Sequence, residues 1–190
     1  MTIVAACSTL AAVSCGDARS APAGENLVDL TDAREVAAWT TVNDPVMGGT
    51  STSSVTFGDG DLVFSGTVSL ANNGGFASAQ SPQDPGIGQR AAGATALRVR
   101  AVGDGKTYLL KVGVAEQAWS YIQRFSTDAA VERIYELPVA SFEPVGMRLA
   151  PAPDAPRTLD PSSIDQISVY ILDKQQGPFT ITIKAIDAAA

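Results

Sequence analysis

Residues 61–70 read DLVFSGTVSL, and apolar side chains recur at alternate positions along most of this stretch. An extended backbone places alternate side chains on opposite faces. One face carries the apolar residues Leu62, Phe64, Val68 and Leu70. The other face is mostly polar and carries Val63, Ser65, Thr67 and Ser69. A period of two is typical of a strand with one buried face, so the stretch predicts a half-buried β-strand.

Similar alternating runs recur along the chain and are separated by clusters of Gly, Pro, Asn and Asp. They cover residues 96–101, 108–114, 119–125, 131–137, 167–172 and 179–186, with weaker runs near Leu27 and Val55. Only residues 32–39 (DAREVAAW) show a helical pattern, with Asp32 placed to cap the first turn. The pattern predicts about nine or ten strands and one short helix.

Many short strands without intervening helices exclude a doubly wound parallel sheet. Each sheet must bury its apolar face on another layer, which favours a two-sheet sandwich or a barrel. We therefore predict an all-β fold, specifically a jelly-roll β-sandwich. No repeat at the period of a propeller or solenoid is visible, and 190 residues are typical of one domain.

The composition excludes several classes of function. The chain has 13 Lys and Arg against 20 Asp and Glu, a net charge of -7, which disfavours nucleic-acid binding. It contains no histidine, so Ser-His-Asp triads and imidazole metal sites are excluded. A hydrolase that uses carboxylates alone is kept as a third hypothesis. We expect a non-enzymatic protein without a cofactor or a metal.

The first 26 residues differ from the rest of the chain. Residues 1–14 are small and apolar without a charge, as in the core of an export signal. Residues 10–15 (LAAVSC) resemble a bacterial lipoprotein cleavage site with Cys15 as the lipidation candidate. There are three alternatives. Residues 4–7 (VAAC) could be the lipoprotein cleavage site instead, a signal peptidase could cleave after Ala23, or the segment could be an uncleaved, disordered N-terminus. We expect a leader and tether over residues 1–26, a domain over 27–187, and a lipoprotein of the cell envelope; a cytoplasmic protein is the alternative.

Residues 103–107 (GDGKT) end like a phosphate-binding loop, but the full pattern is absent. The first glycine of that pattern would fall on Arg100, and the segment after Thr107 alternates like a strand where a helix is required. Residues 103–106 are therefore interpreted as a hairpin turn in which glycine supplies positive φ angles.

Two further glycine-containing segments predict ordered loops. In residues 39–51 (WTTVNDPVMGGTS), Asn43 and Asp44 can form turns before a proline. That segment is either a plain connection or a contact loop that exposes Met47, and the residues leave both open. Residues 72–76 (NNGGF) predict a turn followed by a bulge.

Aromatic side chains recur on neighbouring predicted strands. The set comprises Tyr108, Trp119, Tyr121 and Phe125. Aromatic rings beside Arg or Gln on a concave sheet face could stack on sugar rings, but the same spacing is required by the core of a sandwich. We favour the core, and keep Trp119 as a candidate binding residue.

Five segments, in order, resemble the complex I intermediate-associated protein family. They are residues 43–49 (NDPVMGG), 64–66 (FSG), 73–76 (NGGF), 103–108 (GDGKTY) and 173–179 (DKQQGPF). The likeness runs from about residue 27 to residue 186. It implies a galactose-binding-like jelly roll and non-enzymatic work, since mitochondrial members act as assembly chaperones for respiratory complex I.

The resemblance also implies which positions the family depends on, and at the glycines the alternative is that they set turns. They are Asn43, Asp44, Met47, Gly48, Gly49, Asn73, Gly75, Gly105, Tyr108, Lys174, Gln175 and Gly177. The implied partner is a protein, namely a subunit or assembly intermediate of complex I. The alternative is an exported carbohydrate-binding module with a glycan ligand. An exported domain could not reach the arm of complex I that faces the cytoplasm, and it would touch the membrane only through its lipid anchor.

Overall fold

The computed structural model describes residues 24–44 and 48–190. These residues form two short helices, α1 (Ala33–Ala37) and α2 (Gly86–Ala91). The strands are β1 (Glu25–Asn26), β2 (Thr40–Asn43), β3 (Thr52–Gly58), β4 (Asp61–Val68), β5 (Ala77–Gln80), β6 (Ala96–Val102), β7 (Thr107–Val114), β8 (Ser120–Ser126), β9 (Glu132–Pro138), β10 (Glu143–Val145), β11 (Ile164–Ile171) and β12 (Gly177–Ala189). Short 3-10 turns lie at Ala71–Asn73, Val139–Ser141, Met147–Leu149 and Pro161–Ser163.

The strands form two antiparallel sheets that enclose one core. The first sheet has the order β3-β4-β12-β6-β9, and β1 also pairs with β12. The second sheet has the order β10-β8-β7-β11-β5-β2. Buried apolar residues of both sheets belong to a single cluster, so the sheets pack face to face. This confirms the predicted all-β sandwich.

The alternation in residues 61–70 correctly predicts which side chains of β4 are buried in the core. Leu62, Phe64 and Val68 are fully buried, and Phe64 pairs in register with Ile181 of β12. The ring of Phe64 also meets that of Phe179 edge to face, with 4.9 Å between centroids. Leu70 lies beyond the end of β4 and is only half-buried. The strand therefore ends two residues earlier than the pattern alone predicts.

The helix predicted over residues 32–39 is present but shorter. Its N-cap is Asp32, whose carboxylate accepts a hydrogen bond from the Arg34 backbone N–H at 2.7 Å. Val36 and Trp39 are buried against the core. Helix α2 was not predicted, because its sequence GIGQRA contains two glycines and lacks a helical apolar repeat. It is held by packing rather than by propensity, with Ile87 and Ala91 buried.

The prediction of a hairpin at residues 103–106 is wrong. Strand β6 belongs to the first sheet and β7 to the second, so this segment crosses between the sheets. Gly105 does have a positive φ of 87°, as predicted. A local turn signature cannot distinguish a hairpin from a corner between two sheets, because both need the same backbone angles.

Within residues 24–44 and 48–190, no helix has the length and apolar character needed to cross a bilayer. No three His, Cys, Asp or Glu side chains in the same ranges are grouped as ligands for a metal ion.

Candidate functional site

Asp44 joins two of the glycine-containing loops. It directly follows β2 and is fully buried. Its Oδ1 accepts a hydrogen bond from the Ser51 N–H at 2.8 Å, and its Oδ2 accepts from the Ser51 hydroxyl. Oδ2 also accepts from the backbone N–H groups of Gly75 at 2.6 Å and Phe76 at 3.3 Å. We call Asp44, Ser51, Gly75 and Phe76 the Asp44 clamp, because one carboxylate holds residues from both loops.

The environment of Asp44 favours its ionised form. Burial alone raises the pKa of the Asp44 carboxyl, but the hydrogen bonds from Ser51, Gly75 and Phe76 together outweigh burial. The pKa therefore lies below its ordinary value. Its accepting positions are filled by protein donors, so the geometry assigns this carboxylate a structural role rather than that of a general base.

Two glycines lie so close to the Asp44 carboxylate that no side chain would fit in their place. A Cβ on Gly49 would overlap the Asp44 carboxyl group, and one on Gly74 would lie 2.6 Å from Asp44 Oδ2. Gly48, Asn73 and Gly75 have positive φ angles of 90°, 59° and 137°. The predicted turn at residues 72–76 is thus confirmed as a turn. Most glycines in these two loops are therefore explained by the close approach of Asp44 or by a positive φ angle.

Asn43 contributes to the same end of the sheet. Its side-chain amide is hydrogen bonded to the Ser53 hydroxyl, with 2.6 Å between the atoms, which ties β2 to β3 of the other sheet. Met47 lies outside the described residues.

Gln175 forms a second clamp between distant loops. Its Oε1 accepts from the Thr107 N–H at 2.9 Å, and its Nε2 donates to the Thr107 carbonyl at 2.6 Å and to the Leu172 carbonyl at 2.9 Å. We call Gln175, Thr107 and Leu172 the Gln175 clamp. It fixes the β11–β12 loop to the first residue of β7. Gly177 follows with a φ of 108°, and Lys174 is exposed.

Tyr108 and the other predicted aromatic residues lie in or against the core. Tyr108 is fully buried, and its ring lies 6.2 Å from that of Phe125. Tyr121 and Phe125 are buried with it, and Trp119 is half-buried against the same cluster. This confirms the core interpretation. The Tyr108 hydroxyl makes no hydrogen bond within the described residues. Burial, with a smaller effect of the Asp104 carboxylate, raises the pKa of this hydroxyl.

Both clamps lie at the same end of the second sheet. The strand register pairs Asn43 with Ala77, Ala77 with Ile171, and Ile171 with Tyr108. Segments that are far apart in sequence therefore meet along one row across four strands. The next row, on the opposite face of this sheet, pairs Tyr170 with Leu109 beside the groove described below. The Gln175 clamp therefore lies next to β7 and β11, two of the strands beneath that groove.

A groove of about 1090 Å³ crosses the outer face of the second sheet. Its floor includes Ile122, Val145 and Tyr170, which form a small apolar cluster with Leu109 buried beneath them. These residues alternate with the core-facing residues of the same strands, so the second sheet carries apolar side chains on both faces. Phe76, Leu149 and Leu172 pack against this cluster from the sides.

One wall of the groove is the loop that follows β10. The Gly146 N–H donates to the Ala150 carbonyl at 2.7 Å, and Val145 pairs with Pro151, so the loop is closed on itself. At its tip Met147 is 83% exposed. Arg148 and Leu149 both have positive φ angles, 56° and 58°. The loop thus presents a long apolar side chain to solvent while Leu149 turns towards the floor.

Polar groups are few in the groove. Lys111 Nζ lies 5.9 Å from the centroid of the Tyr170 ring. The Tyr170 hydroxyl accepts from Gln80 Nε2 at 3.2 Å, and the rings of Phe76 and Tyr170 stack with 6.4 Å between centroids. Arg124 pairs with Asp173 at 2.8 Å where the groove reaches the β11–β12 loop.

None of the groove residues was among the predicted site residues. The available signal was the unbroken apolar run of residues 169–172 (VYIL) and of 108–110 (YLL), which predicts strands covered on both faces. Such runs do not say what covers the outer face. Only the register shows that Tyr170, Leu109 and Ile122 share it.

The sequence profile of one family, Complex I intermediate-associated protein 30, matches residues 28–183. A search of curated proteins finds no match. Among solved structures, the family 11 carbohydrate-binding module of the cellulosomal cellulase Lic26A-Cel5E of Clostridium thermocellum superposes with a TM-score of 0.60 at 16% identity, over 90% of this chain and 96% of that one.

Two further structures have the same fold. The Clostridium thermocellum family 11 module in complex with a β-1,3-1,4-mixed-linked tetrasaccharide gives a TM-score of 0.58 at 16% identity, over 90% of this chain and 98% of that one. The agarase AgWH50C gives 0.58 at 10% identity, over 88% of this chain but 25% of that one. These similarities confirm the predicted jelly-roll, galactose-binding-like sandwich.

Proposed function

Because the chain belongs to the Complex I intermediate-associated protein 30 family, we propose that it is a non-enzymatic protein-binding domain that holds a protein partner in its groove. The observation that carries this proposal is the apolar floor on the outer face of the second sheet, beside a loop whose Met147 is exposed to solvent. A sandwich needs only one apolar face on each sheet, namely the face that packs on the other sheet. The apolar residues on the outer face of the second sheet therefore need another explanation. Contact with a partner supplies it.

The chemistry of the groove suits a protein better than a sugar. The lining is mostly apolar, and the wall carries Met147 and Leu149, whose flexible apolar side chains adapt to a partner surface. A sugar site needs an open aromatic platform with polar groups around it, whereas Tyr170 is only 9% exposed and lies beneath Lys111. The family's description supports a partner connected with complex I, and we propose a subunit or an assembly intermediate of that complex.

A glycan is the second candidate ligand. It is favoured by the stacked rings of Phe76 and Tyr170 in the groove and by the fold shared with carbohydrate-binding modules. A titration with the β-1,3-1,4-mixed-linked tetrasaccharide, followed by nuclear magnetic resonance, tests it. Shifts confined to Phe76, Lys111 and Tyr170 would favour the glycan, whereas an unchanged spectrum would exclude this sugar.

We propose that the domain works in the cell envelope, anchored through Cys15. The support is the apolar composition of residues 1–14 and the cleavage-site pattern of residues 10–15. A protein anchored in this way would meet only the outer side of the membrane arm of complex I. Mass spectrometry of the mature N-terminus tests the proposal, because a diacylated Cys15 is the expected product and an unprocessed chain would refute it.

The binding proposal is tested in the native host with a matched pair of variants. Met147→Glu places a charge on the groove wall, and Ile134→Glu places the same charge on the first sheet, where Ile134 is 59% exposed. Neither side chain is buried, so both variants are expected to fold. We expect complex I subunits to co-purify with the tagged wild type and Ile134→Glu, but not with Met147→Glu. Equal recovery with Met147→Glu, or none with wild type, would refute the proposal.

A further inference from the structure

The groove carries a charge opposite to that of the whole protein. The chain has a net charge of -7, yet the charged residues that line the groove are Lys111, Arg124 and Arg148 against Glu143 alone. Arg124 is already paired, because both its Nε and its Nη2 donate to the Asp173 carboxylate, at 2.8 and 3.1 Å. Among the described residues, Lys111 and Arg148 form no ion pair.

Lys111 is one of the residues that line the groove. It is on β7, where it pairs in register with Ile122 on one side and Ser168 on the other. It is half-buried, and its ammonium group lies above the Tyr170 ring. The face of the Tyr170 ring attracts the ammonium group weakly, but it does not offer the full negative charge and the hydrogen bonds of a carboxylate. A partner that covered this groove with apolar groups alone would bury an uncompensated ammonium, which is costly.

We propose that the occupant of the groove is an apolar protein segment with one carboxylate side chain, and that this carboxylate pairs with Lys111. This inference rests on the proposed protein-binding function and names the chemistry of the partner at the same groove. Apolar side chains of the segment pack on Ile122, Val145 and Leu149, and the carboxylate replaces the water that Lys111 loses. Arg148 on the exposed wall loop attracts the same charge during association.

Charge reversal at Lys111 provides the test. A random library of short peptides is selected against the full chain, against Lys111→Glu, and against Arg34→Glu. The last variant changes the net charge equally but lies on α1, away from the groove lining. Wild type and Arg34→Glu are expected to enrich apolar peptides with one Asp or Glu, and Lys111→Glu is expected to enrich Lys or Arg at that position.

One enriched peptide is then made with Glu, Gln or Lys at the selected position. On the wild type, the Gln form is expected to bind about tenfold more weakly than the Glu form or worse. On Lys111→Glu, the Glu form should lose its advantage and the Lys form should bind best. Enriched peptides without an acidic position, an acidic preference that survives in Lys111→Glu, or no enrichment at all would overturn the inference.

These outcomes are separable from the fate of the protein-binding proposal. If the acidic preference fails while Met147→Glu still abolishes recovery of complex I subunits in the host, the groove binds a protein but not through Lys111. If Met147→Glu retains those subunits, the binding proposal itself fails, whatever the peptides show.

Discussion

Replacing Asp44 with asparagine keeps the shape of the side chain but turns one carboxylate oxygen into an NH2 group. If the remaining oxygen stays on the Ser51 N–H, the new NH2 group faces the N–H groups of Gly75 and Phe76. Two partly buried backbone donors then lose their acceptor. Each such loss costs about 1–3 kcal/mol. We expect Asp44→Asn to lower the free energy of unfolding by roughly 2–6 kcal/mol, a large part of the ~5–15 kcal/mol typical of a domain.

The effect should depend on pH in a defined direction. The folded pKa of Asp44 lies below the ordinary value of 3.8, so the wild type gains stability from this carboxylate above about pH 4. That gain is lost as the pH falls through the lower, folded pKa, when the carboxylate becomes protonated. The asparagine of the variant cannot titrate, so the difference in unfolding free energy between the wild type and Asp44→Asn should be largest above about pH 5 and shrink towards pH 3.

Urea denaturation followed by the fluorescence of Trp39 and Trp119 measures both effects. Asp29→Asn is the matched control, because Asp29 is an exposed carboxylate whose Oδ1 accepts from Thr31. The control is expected to change the free energy of unfolding by less than about 1 kcal/mol. A loss below about 1 kcal/mol for Asp44→Asn at pH 7, or a difference that stays constant down to pH 3, would refute the role of the ionised carboxylate.

Three further substitutions test other parts of the structure. Gln175→Ala removes both hydrogen bonds to Thr107 and should lower the free energy of unfolding by about 1–3 kcal/mol, measured by urea denaturation. Gly66→Ala should destabilise strongly, since its Cβ would overlap the Thr52 carbonyl oxygen in β3; thermal unfolding by circular dichroism reports it. Tyr108→Phe removes a buried hydroxyl without a hydrogen bond, so calorimetry should show unchanged or higher stability, by up to about 1 kcal/mol.

Controls for these substitutions lie in the same molecule. Gly146→Ala should be tolerated, because the nearest atom to its Cβ would be 3.8 Å away. Equal destabilisation by Gly66→Ala and Gly146→Ala would contradict the packing argument. Clear destabilisation by Tyr108→Phe would mean that the hydroxyl has a partner in solution. An unchanged unfolding midpoint for Gln175→Ala would show that the Gln175 clamp contributes nothing.

Alternation of apolar residues was sufficient to predict most of the strands. Residues 61–70, 108–114 and 179–186 each have a period of two over six or more positions, and each forms a strand with its apolar face in the core. Short elements were missed because they carry too few residues to show a period. Strands β2, β5 and β10 have four, four and three residues, and their pairing is decided by neighbours distant in sequence.

The loop motifs show the limit of local reasoning about a site. The glycines at 48, 49, 74 and 75 predict sharp turns or closely packed backbone. In the structure, Gly48 and Gly75 have positive φ angles, and Gly49 and Gly74 have no room for a Cβ. Gly49 and Gly74 are crowded by Asp44, which also accepts from the N–H of Gly75. Asp44 lies 31 residues before Gly75 in the chain, and no spacing rule connects the two. The same holds for Gln175 and Thr107, which meet only because β7 and β11 are neighbours in the second sheet.

By itself the sequence determined the fold class, the core faces of the long strands and the family, because alternation and loop motifs are properties of contiguous residues. The tertiary structure alone decided which strands share a sheet, that residues 103–106 cross between sheets, and that Asp44 and Gln175 hold distant loops together. It also decided where the groove lies. Lys111, Ile122 and Tyr170 come from three strands and share a surface only through register, and register depends on strand pairing between segments far apart in the chain.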